Sequence, residues 1–132
     1  MDRVWLESQR QKLASEIIDA PKHFRILAIG RKVNGQTDIV ACMERGLRNL
    51  GHHVLFIDLK QHPRITDNPG KLQGGYGPIY VRLDDIRRAV TRFRPQIVMC
   101  LAGGLAFRDE DAEWLKRQGA VVIGLTLSDP DV

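Results

Sequence analysis

Apolar residues follow two alternating rhythms along this chain. Four short, nearly unbroken apolar runs stand out: Phe24–Gly30, His53–Leu59, Gln96–Leu101 and Ala120–Leu127. Runs of that length predict strands buried on both faces. Between them, apolar residues recur every three or four positions, which predicts helices with one buried stripe. The first such stretch is residues 3–19, where Leu6, Leu13 and Ile17 share a stripe with Trp5 and Ile18 beside it. The second is Thr37–Leu50, carried by Ile39, Val40, Met43, Leu47 and Leu50. The third is Leu83–Phe93, with Ile86, Val90 and Phe93 turned inward, and the fourth is Asp109–Gln118. Pro21, Gly51, Pro95 and Gly119 follow these helices as stops. Asp84 and Asp85 suit the positive end of the third helix. Lys60–Pro78 is rich in Gly, Pro, Asn and Asp and predicts a long irregular loop, with Gly70–Pro78 read as a disordered connector in slight preference to a flexible lid.

The resulting order is one helix followed by β-α-β-α-β-α-β. Continuous apolar strands alternating with helices predict a parallel sheet covered on both sides. Right-handed crossovers then give an α/β, Rossmann-like three-layer sandwich with strand order 2-1-3-4. Residues 1–22 are expected to form an amphipathic N-terminal helix and residues 23–132 the Rossmann-like domain. The chain shows no internal repeat and no linker between two folded units.

Composition narrows the function classes. The 132 residues make one domain, and 43% apolar with 27% charged residues excludes collagen-like and disordered chains. The net charge of +4 favours anionic ligands, and nucleic acid is not an expected partner. The longest nearly apolar run, Ile97–Phe107, is far short of the roughly 20 residues a membrane span needs. The Met-Asp-Arg start carries no secretory signal, so a cytoplasmic protein is expected. Cys42 and Cys100 are expected to be two buried thiols. The four histidines (His23, His52, His53 and His62) form no ligand pair. Without metal-ligand spacing anywhere, neither a metal nor a cofactor is expected.

Ligands of such sheets bind outside the carboxyl ends of the strands. That rim is expected in the loops after Gly30, Leu101 and Leu127. The first loop, Gly30 to Thr37, nearly matches the phosphate-binding pattern G-x-x-x-x-G-K-[ST], but Gln36 replaces the lysine. No Asp ends the third run to hold a metal, so triphosphate hydrolysis is not expected. Free N–H groups at the helix start could still bind an anion or sugar hydroxyls, and an ordinary strand-to-helix turn is the equal alternative. Asp58 ends the second run where an acid could hold a ribose, yet G-x-G-x-x-G is absent and a solvated strand-end role is expected. A phospho-acceptor receiver fails because Ala102 stands where its Asp would be. Cobalamin binding fails because Asp58 to His62 does not match D-x-H-x-x-G. Arg87, Arg88, Arg92 and Arg94 lack interleaved aromatics and are expected to be a solvated helix face. Trp114 and Leu115 are expected to serve packing.

Three segments stand in order along the chain: FRILAIG, LRNLGHHVLFID, and RPQIVMCLAGGLAFRDEDAEWLKRQGAVVIGLTLSDPDV. Together they resemble the N-terminal half of CgeB-like glycosyltransferases. Leu50-Gly51-His52, Arg94-Pro95-Gln96, Gly103-Gly104 and Ser128-Asp129-Pro130 stand where that family has its turn and rim motifs. The resemblance covers about Phe24 to Val132. It implies a GT-B architecture of two Rossmann-like halves, in which this half offers the acceptor surface. Gly30, Asn34, Gly35, Gln36, Thr37, Gly103, Gly104, Ser128 and Asp129 would then face the cleft as candidate substrate-binding residues. No catalytic residue is assigned: Asp38 and Asp129 could reach the rim, but neither has a visible orienting partner. Sugar transfer from a nucleotide-sugar donor would require a C-terminal donor-binding half, in the same chain or in a partner chain. Two other readings stand beside it. One is a non-catalytic module docking a partner, or another copy of itself, through the 3–19 helix and the open edge after the fourth strand. The other is a small phosphate- or nucleotide-binding domain using Gly30–Thr37.

Overall fold

The computed structural model describes residues 3–19, 23–32, 38–68, 79–101 and 104–124. Its elements run α1 (Arg3–Asp19), β1 (Arg25–Gly30), α2 (Ile39–Asn49), β2 (His53–Asp58), β3 (Ile79–Tyr80), α3 (Leu83–Phe93), β4 (Ile97–Cys100), β5 (Leu105–Ala106), α4 (Asp109–Arg117) and β6 (Val121–Gly124). The main sheet has the order β2-β1-β4-β6 and all three pairings are parallel. The four apolar runs of the sequence are these four strands, in the expected order, and the architecture is an α/β Rossmann-like sandwich.

β1 explains why its run is unbroken. Ile26 and Ala28 face one core, with Val40, Met43 and Leu47 of α2 packed against it. Leu27 and Ile29 face the other, built with Ile86 and Val90 of α3 and Leu115 of α4. Alternate residues therefore leave water on opposite faces, and both sets must be apolar.

The helices form where their spacing placed them, with different edges. α2 starts at Ile39 because Asp38 is its N-cap: the carboxylate accepts from the Ala41 N–H at 3.0 Å. Ile39 and Leu50, both expected on the buried stripe, are exposed at the two ends. Cys100 is buried as expected, but Cys42 is exposed, because it lies off the Val40–Met43–Leu47 stripe. Burial pushes the Cys100 thiol up to about 12. α1 is formed over the expected span, and Val4, Trp5 and Leu6 are all exposed. Three consecutive residues cover about 200° of a helix, so its apolar surface is not confined to the Leu6 stripe.

Two departures concern the loops. The segment after β2 is not wholly irregular: Pro63–Ile65 is a 3-10 turn, and Thr66 bridges antiparallel to Val81. β3 and β5 then pair parallel in a second, two-stranded sheet that the sequence reading missed. A two-residue strand has no periodicity to read. The last strand is described only to Gly124, so the remainder of the expected Ala120–Leu127 run lies outside the described residues.

Candidate functional site

The sheet reverses its winding at β1, with β2 on one side and β4 on the other. The carboxyl ends of β1 and β4 are the place where such sheets open a crevice. Gly30 ends β1 there and is buried. A Cβ on Gly30 would lie 3.1 Å from Leu101 Cβ and 3.1 Å from Val40 Cγ1. Those distances are tighter than ordinary contact, so glycine lets α2 and the end of β4 close on β1.

Asp58 stands beside Gly30 in the parallel register. It is half-buried, and its Oδ1 accepts from the Lys60 N–H at 2.9 Å and the Lys32 N–H at 3.3 Å. The Leu59 N–H donates to the Gly30 carbonyl at 2.8 Å. Asp58 is therefore a backbone anchor joining the chain leaving β1 to the chain leaving β2, in place of the solvated role expected of it. Asp38 is likewise committed to its helix cap, which accounts for one of the two carboxylates expected near the rim.

Lys32 reaches on to α2. Its ammonium pairs with Glu44 and lies 4.5 Å from the centre of the Phe56 ring. Arg48 holds the other Glu44 oxygen at 2.9 Å. Burial acts to raise the Glu44 pKa, but the hydrogen bonds and charges of Lys32 and Arg48 outweigh it and hold the group below its ordinary 4.5. A depressed carboxyl stabilises the fold fully above its unfolded pKa and loses that contribution as pH falls through the folded value. Glu44→Gln should therefore be less stable than wild type at pH 7. The gap should narrow as pH falls below about 4.5, the group's ordinary value. Urea unfolding at pH 7, 5 and 3.5 would show this; a gap independent of pH would contradict the assignment.

Beyond β4, Gly104 takes a positive φ of 76°, and its carbonyl accepts from the Ile79 N–H at 2.8 Å. That bond starts the β3–β5 pairing. Asp67 then clamps the small sheet: Oδ1 accepts from the Tyr80 N–H at 3.0 Å and Oδ2 from Arg108 at 3.1 Å. The Arg108 guanidinium stacks 4.5 Å from the Tyr80 ring centre. These groups border a cavity of about 160 Å³ lined by Asp67, Tyr80, Arg82, Asp84, Arg108 and Asp111, among others. Burial, then repulsion from Glu110 and Asp84, raises the Asp111 pKa against the opposing pull of Arg87 and Arg108. The cavity lies where β3 and β5 lead into the N-termini of α3 and α4.

Of the nine candidate residues, Gly30 and Gly104 are described, one at the end of β1 and one beyond β4. Asn34, Gly35, Gln36, Thr37, Gly103, Ser128 and Asp129 lie outside the described residues. Asp67, Tyr80, Arg108 and Asp111 were missed by sequence reasoning. The Asp67–Arg108 pair joins residues 41 positions apart, and no local spacing signals such a pair.

Two of the family-like motifs have structural roles at the opposite end of the sheet. Gly51 has a φ of 91°, and the His52 ring nitrogen Nδ1 accepts from the Phe24 N–H at 3.0 Å. Arg94 takes a left-handed φ of 54° as the cap of α3, and its carbonyl accepts from Arg25 Nε at 2.8 Å. Gln96 Oε1 accepts from the Arg25 N–H at 3.0 Å. Both motifs pin the amino end of β1, away from the carboxyl-end rim.

Among the described residues, no group of three or more His, Cys, Asp or Glu side chains could hold a metal ion. No described helix is long and apolar enough to cross a membrane. Neither protein-family models, curated proteins nor solved structures yield a match to this chain.

Proposed function

We propose that this chain is the acceptor-side, Rossmann-like half of a CgeB-like, GT-B glycosyltransferase. In this reading it binds a sugar-bearing acceptor and takes its nucleotide-sugar donor from a C-terminal half, in cis or in a partner chain. The observation that carries the reading is the polar cavity beside the β3–β5 pair. Its carboxylates accept from sugar hydroxyls and its guanidiniums donate to them, the pairing that neutral polyhydroxyl ligands require. Gly104 supports it: its carbonyl accepts from the Ile79 N–H and so joins the β3–β5 pair that borders the cavity. Transfer chemistry would also need positive groups on the leaving diphosphate, which fall to the donor half.

The reading is tested by amide NMR of the labelled chain titrated with mono- and oligosaccharides. Shifts should concentrate at Asp67, Tyr80, Arg108 and Asp111, and Asp111→Asn should weaken binding about tenfold, the loss of one charged hydrogen bond. Nucleotide sugars alone should leave those amides unmoved. Saccharides that perturb nothing at this cavity, up to their solubility, would overturn the proposal.

A second reading has its own observation. Val121, on the outer strand β6, is 59% exposed, and Trp5 of α1 is 55% exposed. Among the described residues β6 pairs only with β4, and an apolar residue on a strand with a free edge invites a partner. A non-catalytic docking module, or a self-associating one, would show a concentration-dependent mass in light scattering that Val121→Lys abolishes.

A further inference from the structure

β2 closes the sheet on the side opposite β6, and among the described residues nothing pairs with its outer edge. The His53 and Leu59 N–H groups donate inward, to Phe24 at 2.9 Å and Gly30 at 2.8 Å. Parallel pairing alternates with a two-residue period. The N–H and C=O groups of Val54 and Phe56 therefore point outward, along an open edge.

α3 flanks that edge. A shallow groove there is lined by Leu55, Ala89 and Phe93, with Asp85, Arg88 and Arg92 around them. The three apolar residues are half-buried, while Arg88 and Arg92 are exposed one helical turn apart. Asp85 is already held by Arg82 at 3.2 Å. Arg87, on the same helix, is held by Asp84 and lies over the Trp114 ring. Among the described residues Arg88 and Arg92 have no ion-pair partner. The groove thus offers strand-pairing groups, an apolar floor and two unneutralised cations on one side.

We propose that the outer edge of β2 and the adjoining α3 face dock an extended acidic segment of a partner protein, added to the sheet as a fifth strand. Main-chain hydrogen bonds to Val54 and Phe56 would set its position, and carboxylates facing Arg88 and Arg92 would select it. The alternating donors and acceptors of a strand edge match a polypeptide and not a nucleic acid, and no exposed aromatic ring in the groove offers a base a stacking surface. This inference is independent of the sugar-binding reading, since it uses different residues.

The test uses a fluorescein-labelled peptide of alternating glutamate and valine, followed by anisotropy against the full chain. Binding is expected, with the Val54 and Phe56 amides gaining protection from hydrogen exchange. The double variant Arg88→Glu/Arg92→Glu changes two exposed side chains, and its fold is checked by circular dichroism. It should weaken that peptide at least tenfold and bind the lysine–valine counterpart instead. N-methylating alternate peptide amides should abolish binding. Absence of binding, binding indifferent to the charge reversal, equal binding of the N-methylated peptide, or preference for a single-stranded oligonucleotide would each overturn the proposal.

Discussion

Leu101→Ala should destabilise the domain by about 2–5 kcal/mol, the usual cost of truncating a fully buried leucine. Leu101 is wholly buried where the chain leaves β4, and its N–H donates to the Ile29 carbonyl at 2.8 Å. It packs in the core shared with Val40 and Ala28. A cavity left there would loosen the packing beneath the paired carboxyl ends of β1 and β4. Domains of this size are stable by only about 5–15 kcal/mol, so the loss would lower the urea midpoint sharply. Gly30→Ala approaches the same point from the opposite side. Its added methyl would sit 3.1 Å from both Leu101 Cβ and Val40 Cγ1. Overpacking of that kind costs about 1–3 kcal/mol. Val40→Ala removes one of the two obstructing atoms, so Gly30→Ala/Val40→Ala should be more stable than the sum of the single losses predicts. Strict additivity would show that Gly30 is not held by that contact.

Gly51→Val should cost about 1–3 kcal/mol, the range for a side chain forced into a sparsely populated backbone region. Gly51 has a φ of 91°, and a Cβ there would meet the His23 ring at 2.6 Å. His23 is exposed and its ring can swing aside, so backbone strain is the larger part of the cost. Gly51→Asn separates the two effects, because asparagine tolerates the left-handed region far better than valine. The asparagine variant should retain most of the stability in thermal or urea unfolding. Equal losses for both variants would show that backbone strain is not the cause.

This turn also shows how far a motif can be read from letters alone. Leu50-Gly51-His52 stood out for its order in the chain, and its order suggested a family. In the fold, Gly51 reverses the chain after α2 and His52 satisfies the Phe24 N–H at the start of β1. Arg94 and Gln96 do the same from the other neighbouring strand through Arg25. Asp58 shows the converse. Its place at a strand end was legible, but its two backbone donors come from chain segments on either side of it, Lys32 and Lys60. Only folding brings Lys32, 26 residues earlier, within reach.

By itself the sequence determined the four parallel strands, their order, and which helices cover them. That information is local: a strand buried on both faces must be apolar throughout, and a one-sided helix must repeat its apolar residues every three or four positions. Tertiary structure alone decided the β3–β5 pair, the cavity bordered by the Asp67–Arg108 clamp, and the cationic groove beside the free edge of β2. Each depends on residues that are distant in the chain and leave no repeating pattern in it. The chemistry of the candidate sites is set by which polar side chains the packed sheet brings together.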